Sequence, residues 1–225
     1  MSDFIVRVKY GGLGDHLFFS HIPRAALSCG YDRVLVSNLN PYRDPEYRRY
    51  VWEMNPYVDG FTDEDAPCPD GIELREGENL LDATMLRRGL DDGLRAHEPE
   101  IYYRAEPDEL LRGEVVLDPN YVGNAGDGVS EAEVREFVER RGVTMVLPRR
   151  DKGFETGLPE VVTDGLLERY MQVIRSCRRF VCLASGGATL AAALTVPAWV
   201  IHGPHVKRRF LHSKMHVYIP MGGAI

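Results

Sequence analysis

The sequence predicts an α/β fold made of two small Rossmann-like halves, each a parallel sheet flanked by helices, which face a cleft. One observation is the alternation of short apolar strands with helical segments, which restarts near Gly113. The other is size, because 225 residues with 44% hydrophobic content suffice for two halves of about 110 residues each. We therefore expect domains at residues 1–113 and 114–225, with the default ligand site in the cleft.

The first half contains three helical segments set between apolar runs. Strands are predicted at residues 4–9, 33–37 and 58–61 and around 101–103. Helices are predicted at residues 16–28, 45–54 and 80–90. Pro23 must lie in the first helix or kink it. Residues 62–77 are acidic, rich in proline and glycine and without period, so we expect an exposed loop there.

The second half repeats the alternation. Strands are predicted at residues 115–117, 144–147, 180–183 and 198–202, and helices at residues 130–141, 164–176 and 187–195. Ser130 and Glu133 have the spacing of a capping box, which marks the start of the first of these helices. The uncharged run 180–201 approaches the length of a membrane span, but its Ser-Gly-Gly turn and Pro197 divide it, so we predict a buried α/β core.

Charge and cysteine content narrow the possible partners. A net charge of −7 and a pI near 5.5 argue against broad binding to nucleic acid, which needs clustered Lys and Arg. The run Lys207-Arg208-Arg209 leaves two interpretations open, a local basic patch or a solvated turn. The four cysteines lack metal-ligand spacing, and neither a signal peptide nor a transmembrane segment is recognisable, so we expect reduced thiols and a cytoplasmic location.

The clearest functional signal follows the first strand, at Gly11-Gly12-Leu13-Gly14-Asp15. Its glycines allow a tight turn and a close approach to a ligand, which makes Gly12 and Gly14 candidate phosphate-binding positions. The loop is no dinucleotide fingerprint, because Leu17 stands where a third small residue is needed, and it lacks the Lys-Ser/Thr pair of nucleotide-phosphatase loops. Two interpretations of Asp15 remain open, a helix N-cap or a base that accepts a proton from a substrate hydroxyl.

A second candidate turn, residues 184–189, follows an apolar strand and opens an alanine-rich helix. Such a turn presents several backbone N–H groups and two hydroxyls, which suits a phosphate or diphosphate. The candidate binding residues are Ser185, Gly186, Gly187, Ala188 and Thr189. The alternative is close packing of the helix on the sheet. Leu183 stands where a hydrolase nucleophile elbow needs glycine, so Ser185 is not predicted to be a nucleophile.

Polar residues also follow the other predicted strands of the second half. The candidates are Asn120, Arg149, His202 and Gly203. Loops outside the carboxyl ends of parallel strands line the binding crevice, so we expect these residues to converge with the Ser-Gly-Gly turn. Arg149 is either a phosphate-neutralising residue or an ordinary surface arginine. No histidine pattern suits zinc, and the acidic run 63–65 lies in an irregular loop, so no metal is predicted.

Three stretches resemble the ADP-heptose–lipopolysaccharide heptosyltransferases, which are glycosyltransferases with the two-domain GT-B fold. Residues 12–23 resemble that family's Gly-Asp loop and the helix after it, and residues 55–59 the segment before its third strand. Residues 164–204 resemble its closing region of helix, strand, Ser-Gly turn, alanine-rich helix and Gly-Pro loop. By position, the resemblance gives Asp15 the role of the base that deprotonates the acceptor hydroxyl. The family pattern Asp-Ser-Gly-Pro-Met-His aligns with residues 184–189, where the aspartate is Ala184 and the histidine is Thr189.

Residues 11–16 bear a weaker resemblance to the Gly-Gly-Leu-Gly-Asn-Gln opening of certain fucosyltransferases, which also have a GT-B-like fold. The residues and the resemblance together imply a metal-independent, inverting glycosyltransferase without a cofactor. A nucleotide-diphospho sugar donor would bind the second half, and a glycan or other hydroxyl acceptor the first; a nucleic-acid acceptor is not expected but stays open. Two alternatives remain, a non-catalytic sugar-nucleotide or glycan-binding module, which Ala184 and Thr189 permit, and a sugar-nucleotide epimerase.

Overall fold

A computed structural model describes residues 2–68, 74, 78–122, 125–150 and 152–222. The chain divides into two units, Met1–Tyr103 and Arg104–Ile225. This division precedes the expected boundary at residue 113. The reason is Asp108, whose backbone N–H donates to Ser176 Oγ at 2.8 Å and whose carboxylate contacts Arg169 at 2.7 Å, which ties residues before 113 to the second unit. The predicted cleft and the division of acceptor and donor roles stay predictions.

The first unit contains a parallel three-stranded sheet with the order β1-β2-β3. Its strands are β1 (Asp3–Val6), β2 (Arg33–Ser37) and β3 (Gly60–Thr62). The predicted strand near 101–103 is wrong, because these described residues form no strand. Their aromatic rings pack elsewhere: Tyr102 lies against Tyr57, and Tyr103 against Tyr50, with ring centroids 5.7 and 4.9 Å apart.

The helix predicted at residues 16–28 is two helices, α1 (Leu13–Leu17) and α2 (Ile22–Ser28). Pro23 explains the break, because it has no N–H to continue a helix and occupies the first turn of α2. Downstream, α3 (Pro45–Tyr47) continues as a π-helical segment, Arg48–Glu53, over the range predicted as one helix. The last described helix of the first unit is α4 (Leu80–Leu86), which is shorter than predicted.

The second unit contains a parallel five-stranded sheet with the order β5-β4-β6-β7-β8. The strands are β4 (Val115–Asp118), β5 (Met145–Val146), β6 (Arg179–Leu183), β7 (Ala198–His202) and β8 (Val217–Pro220). The sequence did not predict β8. Strand order reverses beside β4, since the chain moves from β4 to β5 on one side and then to β6 on the other. Ligands bind at such switch points in open α/β sheets.

The helices of the second unit are α5 (Glu131–Arg141), α6 (Leu167–Ser176) and α7 (Gly186–Ala193). The capping box is confirmed, because Ser130 Oγ accepts from the Glu133 N–H and Glu133 accepts from the Ser130 N–H. Helix α6 begins later than predicted because Asp164 and Gly165 have left-handed backbones, with φ of 50° and 74°. Short 3-10 turns lie at Glu109–Leu111 and at Arg208–Phe210, which includes part of the basic run.

Residues 180–201 form β6, α7 and β7, as predicted, and most of their side chains are buried. No helix in the described ranges is both long and apolar enough to cross a membrane. The structure describes the predicted acidic loop over residues 62–68, where Asp63, Glu64 and Asp65 are exposed. Residues 69–73 and 75–77 of this loop lie outside the described ranges. Residues 123 and 124, in the loop that follows Asn120, also lie outside them.

Candidate functional site

The glycine loop of the first unit lies against the segment Pro41–Arg43. The Arg43 N–H donates to the Gly11 carbonyl at 2.9 Å. A Cβ placed on Gly11 would lie 3.2 Å from Pro41 and Arg43 backbone atoms, which is tighter than ordinary van der Waals contact. Only glycine fits this approach without a shift of the neighbouring chain, so the sequence signal of close backbone approach has a physical basis here.

Asp15 is not the N-cap of α1. The N-cap is Gly12, and Asp15 is the third helical residue, with its carboxylate accepting from the Gly12 N–H at 3.1 Å. The bond is half of a capping box, since glycine has no side chain to return it. A Cβ on Gly12 would lie 2.7 Å from Asp15 Oδ2, so glycine at 12 leaves the carboxylate its place. Gly14 lies in the same short helix.

The environment of Asp15 favours proton acceptance. Burial raises the pKa of Asp15, while the Gly12 hydrogen bond and the nearby Arg43 charge act in the opposite direction. Among the described Asp and Glu side chains with a resolved pKa shift, Asp15 is the only one whose pKa is raised. A half-buried carboxylate with a raised pKa is a stronger base than an exposed one, as general-base chemistry requires.

His16 and His21, which lie on either side of the break between α1 and α2, are both fully buried. His16 Nε2 donates to the Pro41 carbonyl at 2.9 Å, and its Nδ1 accepts from Trp52 Nε1 at 3.0 Å. Its ring stacks on Tyr42 with centroids 4.5 Å apart. Burial lowers the pKa of His16 to about 4, so the ring is neutral and serves to fix the loop rather than to transfer protons.

In the second unit, the predicted binding residues lie at one edge of the sheet. Parallel pairing puts every strand's carboxyl end at this edge, where Arg149 follows β5, Asn120 follows β4, Ser185 follows β6 and His202 ends β7. The Ser185 turn is adjacent to β4 across the switch point. The fold therefore brings these candidates to a common edge, while Gly12, Gly14 and Asp15 belong to the other unit.

The turn before α7 presents unused N–H groups. Ser185 is the N-cap of α7 and is only partly buried. The N–H groups of Ala188 and Thr189 donate to the Ser185 carbonyl, whereas those of Gly186 and Gly187 have no acceptor within the part of the chain that the structure describes. Gly187 is buried against Tyr170 and the Asp118 carboxylate, whereas Gly186 is partly exposed, so the Gly186 N–H is the one that suits an anionic ligand.

Other candidates around this turn have structural contacts. Ala188 and Thr189 are buried, and Thr189 Oγ1 lies 3.5 Å from the Ser185 carbonyl and 3.4 Å from His212 Nε2. Gly203 packs closely on the preceding loop, since a Cβ there would lie 2.1 Å from the Asp127 carbonyl. The His202 ring bonds to the Gly203 carbonyl at 3.1 Å. Binding by these residues stays a prediction.

A cavity of about 430 Å³ lies beyond the ends of β4 and β5. Its floor includes Asp118, whose carboxylate accepts from the buried Tyr170 hydroxyl at 2.5 Å and from Asn120 Nδ2 at 2.8 Å. The rim comes from residues 160–165, held beside β5 because Val161 N–H donates to the Val146 carbonyl at 2.8 Å. Asn120 is thus a cavity residue, but its side chain also bonds to the Pro148 carbonyl at 3.0 Å.

The arginine that lines the cavity is Arg150. A phosphate-binding role of Arg149 stays a prediction. Arg149 forms an exposed ion pair with Glu155 and does not line the cavity. Arg150 lines it, with its backbone N–H bonded to Asn120 Oδ1 at 2.6 Å and its guanidinium without an ion-pair partner among the described residues. The sequence signal for Arg149 and Arg150 is their position in the loop after β5, and this signal does not distinguish one adjacent residue from the other. The described residues contain no group of three or more His, Cys, Asp or Glu that could hold a metal.

Solved structures of bacterial glycosyltransferases share this fold. TibC from enterotoxigenic E. coli H10407, described as an iron-containing dodecameric glycosyltransferase, has a TM-score of 0.68 and 16% identity over 96% of this chain and 63% of that one. A second TibC structure, in complex with ADP-D-β-D-heptose, has a TM-score of 0.66 at 15% identity, over 95% of this chain and 61% of that one. This chain thus spans less than two thirds of TibC.

E. coli ADP-heptose LPS heptosyltransferase II has a TM-score of 0.62 and 13% identity, over 97% of this chain and 90% of that one. No protein-family model and no curated protein matches the sequence. The identities are low, so the likeness concerns the fold. The chain has the mixed α/β fold with two parallel sheets that is found in the GT-B heptosyltransferases.

Proposed function

We propose that the chain is a glycosyltransferase that moves a sugar from a nucleotide-diphospho donor to an acceptor hydroxyl, with Asp15 as the base. The observation that carries the proposal is the half-buried Asp15 carboxylate at the glycine loop, with its raised pKa. The fold shared with TibC and heptosyltransferase II supports the same reaction class. The acceptor and the donor sugar are left unassigned.

The reaction is a single displacement. The acceptor oxygen forms a bond to the anomeric carbon of the donor sugar as its proton passes to the Asp15 carboxylate. The bond between that carbon and the diphosphate oxygen breaks, and the electron pair leaves with the nucleoside diphosphate. One in-line displacement inverts the anomeric configuration. Asp15 contributes both the proton acceptance and, through its bond to Gly12, a fixed direction.

We assign the donor to the second unit. The N–H group of Gly186 suits the diphosphate, because a fixed donor at a helix start stabilises charge on a leaving group. The cavity bounded by Asp118 and Arg150 is of a size that accepts a small ligand part, and we place the nucleoside there. The proposal needs neither a metal nor a cofactor for these steps, and it places the protein, with its four free cysteines, in the cytoplasm.

A second candidate function is a binding module that retains the fold without the reaction. The observation in its favour is the turn itself, where Ala184 and Thr189 replace two side chains of the pattern that the turn resembles. An epimerase is the third alternative, and it differs from both by consuming the nucleotide sugar with no acceptor present.

The test combines binding with turnover. We expect one nucleotide sugar to raise the melting temperature, since a ligand at 100 times its Kd stabilises by about 2.7 kcal/mol. That donor is then incubated with candidate acceptors, and nucleoside diphosphate release is measured for wild type, Asp15→Asn and the exposed control Asp63→Asn. Asp15→Asn should bind the donor normally and lose turnover, while the control keeps both.

The alternatives give other results. Binding without turnover in the wild type identifies a binding module, and consumption of the donor without acceptor identifies an epimerase. Unchanged turnover in Asp15→Asn excludes Asp15 as the base. No stabilisation by any nucleoside diphosphate or nucleotide sugar contradicts the donor site on the second unit.

A further inference from the structure

Arg43 follows β2 in the segment that packs on the glycine loop. Its side chain is exposed, and it has no ion-pair partner among the residues that the structure describes. Most other arginines of the first unit have a carboxylate partner, for example Arg24 with Glu100 and Arg33 with Asp3. An arginine without a partner, held next to a functional loop, is available for a role other than stabilising the fold.

The backbone of Arg43 is held firmly to the loop. Its N–H donates to the Gly11 carbonyl, and the preceding Tyr42 ring stacks on His16. Pro41 accepts a hydrogen bond from His16 Nε2. Three successive residues of this segment are thus tied to the loop or to α1, so the position from which the Arg43 side chain extends is fixed.

Gly12 relates the Arg43 side chain to the carboxylate of Asp15. A Cβ on Gly12 would lie 2.7 Å from Asp15 Oδ2 and 3.7 Å from Arg43 Nη1. Both side chains therefore reach the same side of Gly12, where glycine leaves room for them. The two groups form no direct ion pair, so the Arg43 charge acts on Asp15 through space.

Two titratable groups close to Asp15 in the sequence or in the segment packed on α1 are uncharged. His16 is buried and neutral, with both ring nitrogens hydrogen-bonded to other residues. Burial also raises the pKa of Tyr42, which keeps its hydroxyl protonated. The charge of Arg43 favours the ionised form of Asp15 and so opposes the effect of burial on its pKa.

We propose that Arg43 is a positioning residue for the transfer reaction, whose guanidinium keeps the Asp15 carboxylate ionised and free to accept the acceptor proton. The inference rests on the proposed function of Asp15. Burial alone would make Asp15 a stronger base but would also leave more of it protonated and unable to react. A cation at a distance maintains the ionised form without occupying the oxygens that must take the proton.

The test uses Arg43→Ala, Arg43→Lys and the matched control Arg49→Ala, which removes an exposed arginine of the same unit. Carboxyl ¹³C NMR follows the titration of Asp15 in each full-length protein, with Asp15→Asn used to assign the signal. We expect Arg43→Ala to move the Asp15 titration upward, because the Arg43 charge favours the ionised carboxylate. Arg43→Lys should stay near wild type, and Arg49→Ala should not change.

Turnover provides the second readout. The acid limb of kcat/KM should move upward with the Asp15 titration in Arg43→Ala, giving a loss of activity at pH values below the limb and little loss above it. A merely structural role would lower activity equally at all pH values. An unmoved Asp15 titration in Arg43→Ala, or an equal movement in Arg49→Ala, overturns the inference. Because NMR needs no turnover, absence of activity in the wild type contradicts the proposed function alone.

Discussion

Gly187 occupies the narrowest point between α7 and the buried Tyr170–Asp118 pair. A Cβ at this position would lie 2.2 Å from Tyr170 Oη and 3.1 Å from Asp118 Oδ2. Tyr170 is buried, and its hydroxyl donates to Asp118, so the hydroxyl cannot move away from a new methyl group without weakening that bond. We predict that Gly187→Ala displaces the hydroxyl and breaks this bond.

The magnitude follows from two effects. Overpacking of a core by one methyl group costs about 1–3 kcal/mol, and a buried polar group left without its partner costs about 1–3 kcal/mol. Because the displaced hydroxyl relieves part of the overpacking, we expect Gly187→Ala to lower the free energy of unfolding by about 2–4 kcal/mol. Tyr170→Phe should rescue part of the loss, since the nearest remaining tyrosine ring atom, Cζ, lies at an ordinary 3.5 Å from the new Cβ.

The assay is denaturant unfolding followed by circular dichroism, on both single variants and the double variant. We expect the double variant to lose less free energy of unfolding than the two single variants lose together, by at least about 1 kcal/mol. Gly113→Ala is the matched control, because nothing lies within 4 Å of a Cβ there. Wild-type stability in Gly187→Ala, or strict additivity with Tyr170→Phe, would refute the steric argument.

Two further predictions address the charges. Burial acts to raise the pKa of Asp82, but the N–H bonds from His97 and Ala96 and the His97 ring outweigh burial, so the pKa is lowered. The stability that ionised Asp82 contributes is therefore present above the ordinary carboxyl pKa and is lost as pH falls through the pKa of the folded state. Asp82→Asn should therefore cost about 2 kcal/mol at pH 7, a difference that shrinks in urea titrations toward acid pH. Arg150→Ala should weaken nucleotide binding about tenfold, as measured by calorimetry. Arg149→Ala, which breaks an exposed ion pair, should leave nucleotide binding unchanged. Equal effects of the two substitutions would contradict nucleotide binding in the cavity.

The two sheets were predictable because their strands are short apolar runs with clear boundaries. Strands β2 and β7 were predicted with their observed bounds, and the start of α5 from its capping box. The break between α1 and α2 was less predictable, since Pro23 is compatible with both a kink and a new first turn. Strand β8 was missed because four residues ending in a proline give no usable period.

The site was predictable only where the chain itself carries the signal. The glycines at 11 and 12 mark close approaches that the structure contains, and Asp15 lies three residues after Gly12. The partners of that loop were not predictable, because His16 meets Trp52 and Pro41 through contacts between distant segments. The cavity likewise depends on residues 160–165, which lie beside β5 through a single pairing of Val146 with Glu160. No local sequence pattern predicts this pairing.

The buried ring of His16 has a consequence for the direction of its neighbour. Successive side chains of an α-helix point about 100° apart, because the helix has 3.6 residues per turn. When one side chain of a short helix is held in place, the direction of the next side chain is therefore fixed as well. The locks on His16 are the Pro41 carbonyl and the Trp52 indole, on two different segments. The bonds of His16 thus prevent α1 from turning about its axis, and the direction of the Asp15 side chain depends on a buried neighbour whose own contacts lie elsewhere.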